Sequence, residues 1–271
     1  MRNTARKYDK THLSIDKAED RMIVHRDYLA HCLRWSHVVK YLRQGKKYQT
    51  ANILDIGCGK EMPLAKLLYS NKLSGSRYCG VDINKLEIPK MLHKAIENNK
   101  IEIQVCEQTD ASELKKEQLN NIPNIVVSFE AFEHMHQTIA RKLLKNLYDI
   151  SADDAVFFFS TPCWNGSAAG NHINETTYEA MGAMLEAAGW RVKNNYGTFA
   201  SQTDYKDEMN DEMTSIYESL KDYYDTEMLA ILFAPLFPDK ARNCLWHCNK
   251  TGERKFRDLE DIPKPWSQND A

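Results

Sequence analysis

Two carboxylates and an imidazole stand close together in the sequence, at Glu130, Glu133 and His134. If a helix begins near Glu130, these residues follow i, i+3, i+4 spacing and share one helical face. Mixed oxygen and nitrogen donors suit a divalent cation such as Mg²⁺, Mn²⁺ or Zn²⁺. His172, which follows a Ser-Thr-Pro sequence, is a candidate fourth ligand. Without a metal, Glu133 or His134 could instead take a proton from a reacting group.

A second group of residues suits the binding of a cationic ligand. The apolar run 53–56 leads into Gly57-Cys58-Gly59, which predicts a strand, a tight turn and a helix. Glycines let the backbone approach a ligand where a Cβ would clash. Met62 replaces the third glycine of the dinucleotide fingerprint, and Glu61 would repel a pyrophosphate. Asp55, just before the turn, favours a cationic amino-acid moiety over a diphosphate.

Acidic residues also follow the next two predicted strands. Asp82 ends the second strand, where a carboxylate can accept hydrogen bonds from both ribose hydroxyls. Asp110 lies just past the third strand, where it can read an adenine amino group. Open α/β sheets bind ligands in the crevice at the carboxyl ends of their strands. Each acid alone would more often be a solvated strand end, but together with Asp55 they predict one nucleoside pocket.

Alternating strands and helices must position these residues, and this alternation predicts an α/β fold with a mostly parallel sheet. The predicted strands cover residues 52–56, 77–83, 101–106, 125–129, 155–160, 190–196 and 243–248, and the predicted helices include 21–43, 62–69, 91–98 and 177–188. We expect one domain over 21–261, a helical insertion over 200–240, a mobile arm over 1–20 and a disordered tail over 262–271. Arg34 and Trp35 on the first helix could cap the cofactor pocket, but packing is favoured.

In order and spacing, these features resemble the class I S-adenosylmethionine-dependent methyltransferases over about residues 50–195. The resemblance implies a Rossmann-like sheet of seven strands with an antiparallel last strand, preceded by an N-terminal helix. The residues implied to bind the cofactor are Asp55, Gly57 and Gly59 at its methionine half, Asp82 at the ribose and Asp110 at the adenine, with Cys58, Ile83, Ala111 and Phe129 beside them. Glu61 stands where many members have a third glycine.

The Glu-x-x-Glu-His stretch adds a narrower resemblance. With the later Ser-Thr-Pro and His172 it is similar to small-RNA 2′-O-methyltransferases, and on its own to ubiquinone-biosynthesis O-methyltransferases. Both imply a metal that grips acceptor hydroxyls, with Glu130, Glu133, His134 and His172 as ligands and with Glu133 and His134 as catalytic residues. Many metal-free methyltransferases carry a Glu-His pair here, so metal-independent N- or C-methylation stays open. A non-catalytic methyltransferase-like scaffold is a third interpretation.

Composition limits the partners. The 271 residues are 42% hydrophobic and 27% charged, as in a globular protein, and no apolar run approaches the roughly 18 residues of a membrane span. The N-terminus lacks a secretory signal and the seven cysteines are scattered, so we expect a cytoplasmic protein with reduced thiols. A net charge of −2 favours a small-molecule or nucleotide acceptor, while a nucleic acid is not indicated.

Overall fold

A computed structural model describes residues 26–166, 168–200 and 205–251 of the chain. The arm expected over 1–20 and the tail expected over 262–271 lie outside the described residues. Within them the strands are β1 (Asn52–Ile56), β2 (Arg77–Val81), β3 (Glu102–Cys106), β4 (Ile125–Phe129), β5 (Val156–Pro162), β6 (Trp190–Phe199) and β7 (Asn243–Lys250). The α-helices there are α1 (Arg26–Arg43), α2 (Pro63–Ser70), α3 (Lys90–Glu97), α4 (Gln137–Ile150), α5 (Tyr178–Ala187), α6 (Asp211–Lys221) and α7 (Thr226–Leu232).

The strands form one sheet in the order β3-β2-β1-β4-β5-β7-β6. Each neighbouring pair among the first five strands of this order is parallel, whereas β7 runs antiparallel to both β5 and β6. The expected Rossmann-like methyltransferase sheet is therefore confirmed. Because β1 and β4 are adjacent in the middle, the chain reverses its winding between them. Such a switch point opens a crevice at the carboxyl ends of the strands.

Alternate residues of the central strands enter two separate cores. Ile53, Val127 and Phe158 face one core with α1, α2 and α3, whereas Leu54 and Phe157 face the other core with α4 and α5. Side chains of a strand point to opposite faces in turn, so a strand that is covered on both sides is apolar throughout. This double burial makes the strand ends a rigid platform for the polar residues that follow them.

The segment after β4 departs from the sequence-based expectation. Glu130 has a φ of 54°, in the left-handed region, so an α-helix cannot begin there. A single 3₁₀ turn over Phe132–His134 follows, and α4 begins only at Gln137. The backbone N–H of Glu130 donates to the carbonyl of Ser160 at 3.1 Å, which ties this turn to β5. The shared helical face inferred for Glu130, Glu133 and His134 is therefore wrong.

The expected insertion before the last strand contains α6, α7 and several short 3₁₀ turns within its described part, residues 205–240. Gly197 in β6 allows this insertion to pack closely, because a Cβ there would lie 2.2 Å from the carbonyl oxygen of Ala234. A cavity of about 300 Å³ separates α1 from the insertion, and Leu33, Ile231 and Pro235 contribute to its lining. No helix within the described ranges has the length and apolar character that crossing a membrane requires.

Candidate active site at the carboxyl ends of the strands

The glycine turn after β1 is closely packed against its neighbours. Gly57 and Gly59 have φ values of 69° and 66°, which side-chain-bearing residues rarely adopt. The N–H groups of Gly57 and Cys58 both donate to the carbonyl of Val81, at 2.9 and 3.3 Å. A Cβ on Gly57 would lie 2.7 Å from the Cβ of Ala131. Position 57 therefore leaves no room for a side chain.

Asp82 connects the ends of β1, β2 and β3. Its Oδ2 accepts a hydrogen bond from the N–H of Gly59 at 3.0 Å, and its Oδ1 accepts from the N–H of Asn84 at 2.9 Å. Its own carbonyl accepts from the N–H of Thr109 at 3.1 Å. The side-chain amide of Asn84 also donates to Oδ1, at 2.9 Å. A carboxylate offers about four acceptor positions, so Asp82 has one left for a ligand hydroxyl. The residue predicted to read a ribose thus lies directly beside the glycine turn.

The remaining residues predicted to bind the cofactor differ in exposure. Asp110 is exposed and caps a short 3₁₀ turn, because its Oδ1 accepts from the N–H of Ser112 at 2.8 Å. Ile83 is 74% exposed, an unusual state for a large apolar side chain. Cys58, Ala111 and Phe129 are buried. An exposed apolar side chain between two acids at the strand ends fits the stacking face and polar edges of a nucleoside.

Asp55 is buried and bound to a tyrosine. Its Oδ2 accepts a hydrogen bond from the Tyr78 hydroxyl at 2.7 Å, and only 4% of the residue is exposed. Burial raises the pKa of Asp55 to about 7, the Tyr78 hydroxyl counteracts the rise, and the nearby charge of Asp82 adds to it. Asp55 therefore stabilises the strand ends from inside, and its contact with the cofactor stays a prediction.

The raised pKa of Asp55 leads to a prediction about stability. Because its pKa is higher in the fold than in the unfolded chain, its contribution to stability is present below about pH 4 and is lost as the pH rises through about 7. The Asp55→Asn variant has no carboxyl group at this position, so its stability does not fall in this way. Between about pH 4 and 7, urea unfolding should show the free energy of unfolding of the variant rising by up to about 4 kcal/mol relative to that of the wild type. A difference in free energy of unfolding that stays constant with pH would contradict the raised pKa of Asp55.

Glu133, His134 and His172 come together in space. One ligand atom from each lies within 4.8 Å of the others. The Nδ1 of His134 is 3.2 Å from the carbonyl of Asn171, and the Nδ1 of His172 is 2.5 Å from Oε1 of Glu175. Each ring thus has its Nδ1 engaged by an oxygen acceptor, which leaves its Nε2 as the coordinating nitrogen. Metal-binding histidines in proteins are held in this way.

Glu133 is the most deeply buried member of this cluster. It is 1% exposed, its Oε2 accepts from the Thr161 hydroxyl at 3.3 Å, and its carbonyl accepts from the N–H of Ile173 at 2.9 Å. Burial raises the pKa of Glu133 well above its usual value, and the neighbouring Glu130 adds to the rise. A buried carboxyl group with a raised pKa is suited either to bind a cation or to take a proton from a substrate.

Glu130 belongs to a different network. Its Oε1 accepts from the Ser160 hydroxyl at 2.8 Å, its Oε2 accepts from the Asn243 amide at 2.7 Å, and Nη1 of Arg34 lies 3.4 Å from Oε1. Arg34 also donates to Oδ1 of Asn243 at 3.0 Å. With both oxygens engaged, Glu130 lies outside the group formed by Glu133 and the two histidines. Its role as a metal ligand stays a prediction.

Arg34 contacts the site through Glu130, although its position on the first helix favoured packing. It shares an i, i+4 stripe with Ala30, Val38 and Leu42, and none of these four residues is more than 2% exposed. A charged residue on a stripe that is otherwise apolar is a signal for a buried partner. The identity of that partner, Glu130, requires the fold, because the two residues are far apart along the chain.

Comparisons with known proteins bear on the family and the fold of the chain. A family model described as "Methyltransferase domain" matches residues 25–211, and no curated protein matches the chain. Magnesium protoporphyrin IX methyltransferase from Synechocystis PCC 6803, solved with bound S-adenosylhomocysteine, is 12% identical, with a TM-score of 0.50 over 92% of this chain and 93% of that one.

Two further solved structures are similar at lower TM-scores. 1,6-Didemethyltoxoflavin-N1-methyltransferase from Burkholderia thailandensis is 16% identical, with a TM-score of 0.46 over 83% of this chain and 90% of that one. An S-adenosylmethionine-dependent methyltransferase from Archaeoglobus fulgidus is 20% identical, with a TM-score of 0.46 over 80% and 94%. Likeness at these identities concerns the fold. The fold is that of the class I S-adenosylmethionine-dependent methyltransferases.

The family match covers more than half of the chain. The chain belongs to the methyltransferase family.

Proposed function

We propose that this protein transfers a methyl group from S-adenosylmethionine to a hydroxyl, and that a divalent cation at Glu133, His134 and His172 assists the transfer. The observation that carries the proposal is the donor set itself. One buried carboxyl group and two imidazoles lie within 4.8 Å, and the Nδ1 of each ring is already engaged by an oxygen acceptor. With each Nδ1 engaged, Nε2 of each ring would be the nitrogen offered to a cation beside Glu133, which gives the mixed ligands of many metal sites.

The cofactor would be held by the glycine turn and the acids after β2 and β3. Gly57 and Gly59 leave backbone open to the methionine half, Asp82 would accept from a ribose hydroxyl, and Asp110 would face the adenine. Exposed Ile83 would cover the nucleoside. Asp55, which accepts a hydrogen bond from the Tyr78 hydroxyl, would hold the end of β1 in position beside the glycine turn. Cys58, Ala111 and Phe129 would form the floor of the pocket.

S-adenosylmethionine supplies an activated methyl group, and a divalent cation lowers the pKa of a hydroxyl bound to it. The protein must then align the acceptor with the methyl group and remove the hydroxyl proton. Glu133 is suited to take that proton, because its carboxylate has two oxygens, so that one can bind the cation while the other accepts. If no cation is bound, His134, which is 37% exposed on its side chain, is suited instead to take the proton and pass it to solvent. Aromatic, sugar or nucleotide hydroxyls fit this chemistry.

The proposal is tested by a methyl-transfer screen with tritiated S-adenosylmethionine over nucleotides, RNA, DNA and phenolic metabolites. We expect transfer to a hydroxyl acceptor that is lost with EDTA and returns with Mn²⁺. His172→Ala should raise the Mn²⁺ concentration needed for half-maximal activity by about 10-fold or more. His93→Ala is the matched control, because His93 is exposed on α3. Transfer that is indifferent to chelation would favour a metal-independent N- or C-methyltransferase. Absence of cofactor binding would favour a scaffold.

A further inference from the structure

We propose that Glu175 is a positioning residue that fixes the orientation and tautomer of His172, and that Arg242 holds Glu175 in place. The proposal rests on the proposed function in one respect, that His172 is positioned to bind a metal. The contacts themselves are independent of any metal.

Glu175 is completely buried, and both of its oxygens are engaged. Its Oε1 lies 2.5 Å from Nδ1 of His172, and Nη2 of Arg242 lies 2.8 Å from Oε1 and 2.7 Å from Oε2. A carboxyl group that accepts from a guanidinium at both oxygens is a carboxylate. A carboxylate can only accept hydrogen bonds, so Nδ1 of His172 must carry the proton. The Nε2 atom of a neutral His172 then has its lone pair free.

The position of that lone pair follows from the packing of the ring. The rings of His172 and His134 make an edge contact, with centroids 5.0 Å apart and planes at 76°. A His172 that is anchored at Nδ1 cannot turn its other nitrogen away without breaking the bond to Glu175. The carboxylate thus selects one tautomer and one orientation, and both favour coordination beside Glu133.

Arg242 connects Glu175 to other parts of the fold. Its side chain also donates to the carbonyl of Cys163, and its backbone N–H donates to the carbonyl of Phe199 at 3.1 Å. The loop that holds His172 is closed at its base, because the N–H of Trp164 donates to the carbonyl of Thr176 at 2.7 Å. Arg242 lies directly between the insertion and β7.

The first test measures the tautomer of His172 in metal-free protein. Long-range ¹H–¹⁵N correlation spectra of histidine-labelled protein distinguish the two neutral tautomers, and His172→Gln identifies the signal. We expect the wild type to show a proton on Nδ1 of His172, and Glu175→Gln to shift the population towards a proton on Nε2. Glu179→Gln is the matched control, because Glu179 is exposed four residues later. A wild-type His172 protonated on Nε2 overturns the proposal even if no variant folds.

The second test measures Mn²⁺ affinity by calorimetry on the same proteins. Glu175→Gln should weaken binding by about 10- to 100-fold, and Glu179→Gln should leave it unchanged. If the wild type binds no Mn²⁺ while Glu175→Gln still changes the tautomer, the positioning role stands and the metal-assisted mechanism fails. If Glu175→Gln lowers the melting temperature but changes neither the tautomer nor the affinity, Glu175 is merely structural and the proposal is overturned.

Discussion

Glu133→Gln should lower kcat for methyl transfer by about 10³-fold while leaving the fold intact. The expected loss follows from the chemistry, because a positioned general base contributes about 10² to 10⁴-fold and an amide cannot take a proton. Glutamine keeps the size of the side chain and an oxygen that can accept from the Thr161 hydroxyl. Single-turnover methyl transfer with saturating cofactor measures the effect. Glu97→Gln, an exposed substitution on α3, is the control.

The same variant should be at least as stable as the wild type at neutral pH. The pKa of Glu133 is raised in the fold, so its contribution to stability is lost as the pH rises above the usual range of a glutamate. The glutamine amide has no such proton to lose, so the advantage of the variant over the wild type should grow with pH. An active Glu133→Gln variant would remove Glu133 from the reaction. An unstable variant would show that the carboxylate serves the fold.

Asp82→Ala should weaken the binding of S-adenosylmethionine by at least about 100-fold. A hydrogen bond to a charged group contributes about 1.5 to 3 kcal/mol, and Asp82 would accept one from the ribose. The substitution also removes the acceptor of the Gly59 N–H, which helps to hold the glycine turn. Calorimetric titration of the cofactor into both proteins measures the change. Unchanged affinity would contradict the assignment of Asp82 to the ribose.

Two further variants separate these effects of Asp82. Asp82→Asn keeps an oxygen acceptor for the N–H of Gly59 or Asn84, so it should bind the cofactor more tightly than the alanine variant. Asp154→Ala removes an exposed acid just before β5, at the opposite end of the strands, and should leave the affinity unchanged. Equal losses of cofactor affinity in the alanine and asparagine variants would mean that the charge of Asp82 contributes more to binding than its hydrogen bond to the glycine turn.

Much of the fold could be predicted because local patterns determine it. The apolar runs of β4 and β5 predicted strands covered on both faces, and the glycine turn predicted the change from β1 to α2. Strand and helix ends shifted by a few residues, as at β6, which continues to Phe199. Backbone hydrogen bonds with neighbouring strands set such ends, and these pairings are not visible in one stretch of sequence.

The site was predictable only in part. Residues next to strand ends, such as Asp82, follow from topology, because parallel strands bring their carboxyl ends to one edge. Glu130 carries no local sign of its left-handed backbone or of its bond to Asn243, which lies 113 residues away. Glu175 and Arg242 were missed for the same reason, since they meet only when the loop after β5 contacts the start of β7.

A crystal structure with S-adenosylhomocysteine and Mn²⁺ tests the central claim most directly. We predict that a ribose hydroxyl contacts Asp82, that the methionine half lies against Gly57 and Gly59, and that Mn²⁺ binds Glu133 and Nε2 of both His134 and His172. A nucleoside bound elsewhere, or an empty glycine turn at saturating ligand, would contradict the cofactor assignment. Manganese found away from the two histidines would contradict the proposed role of the cation.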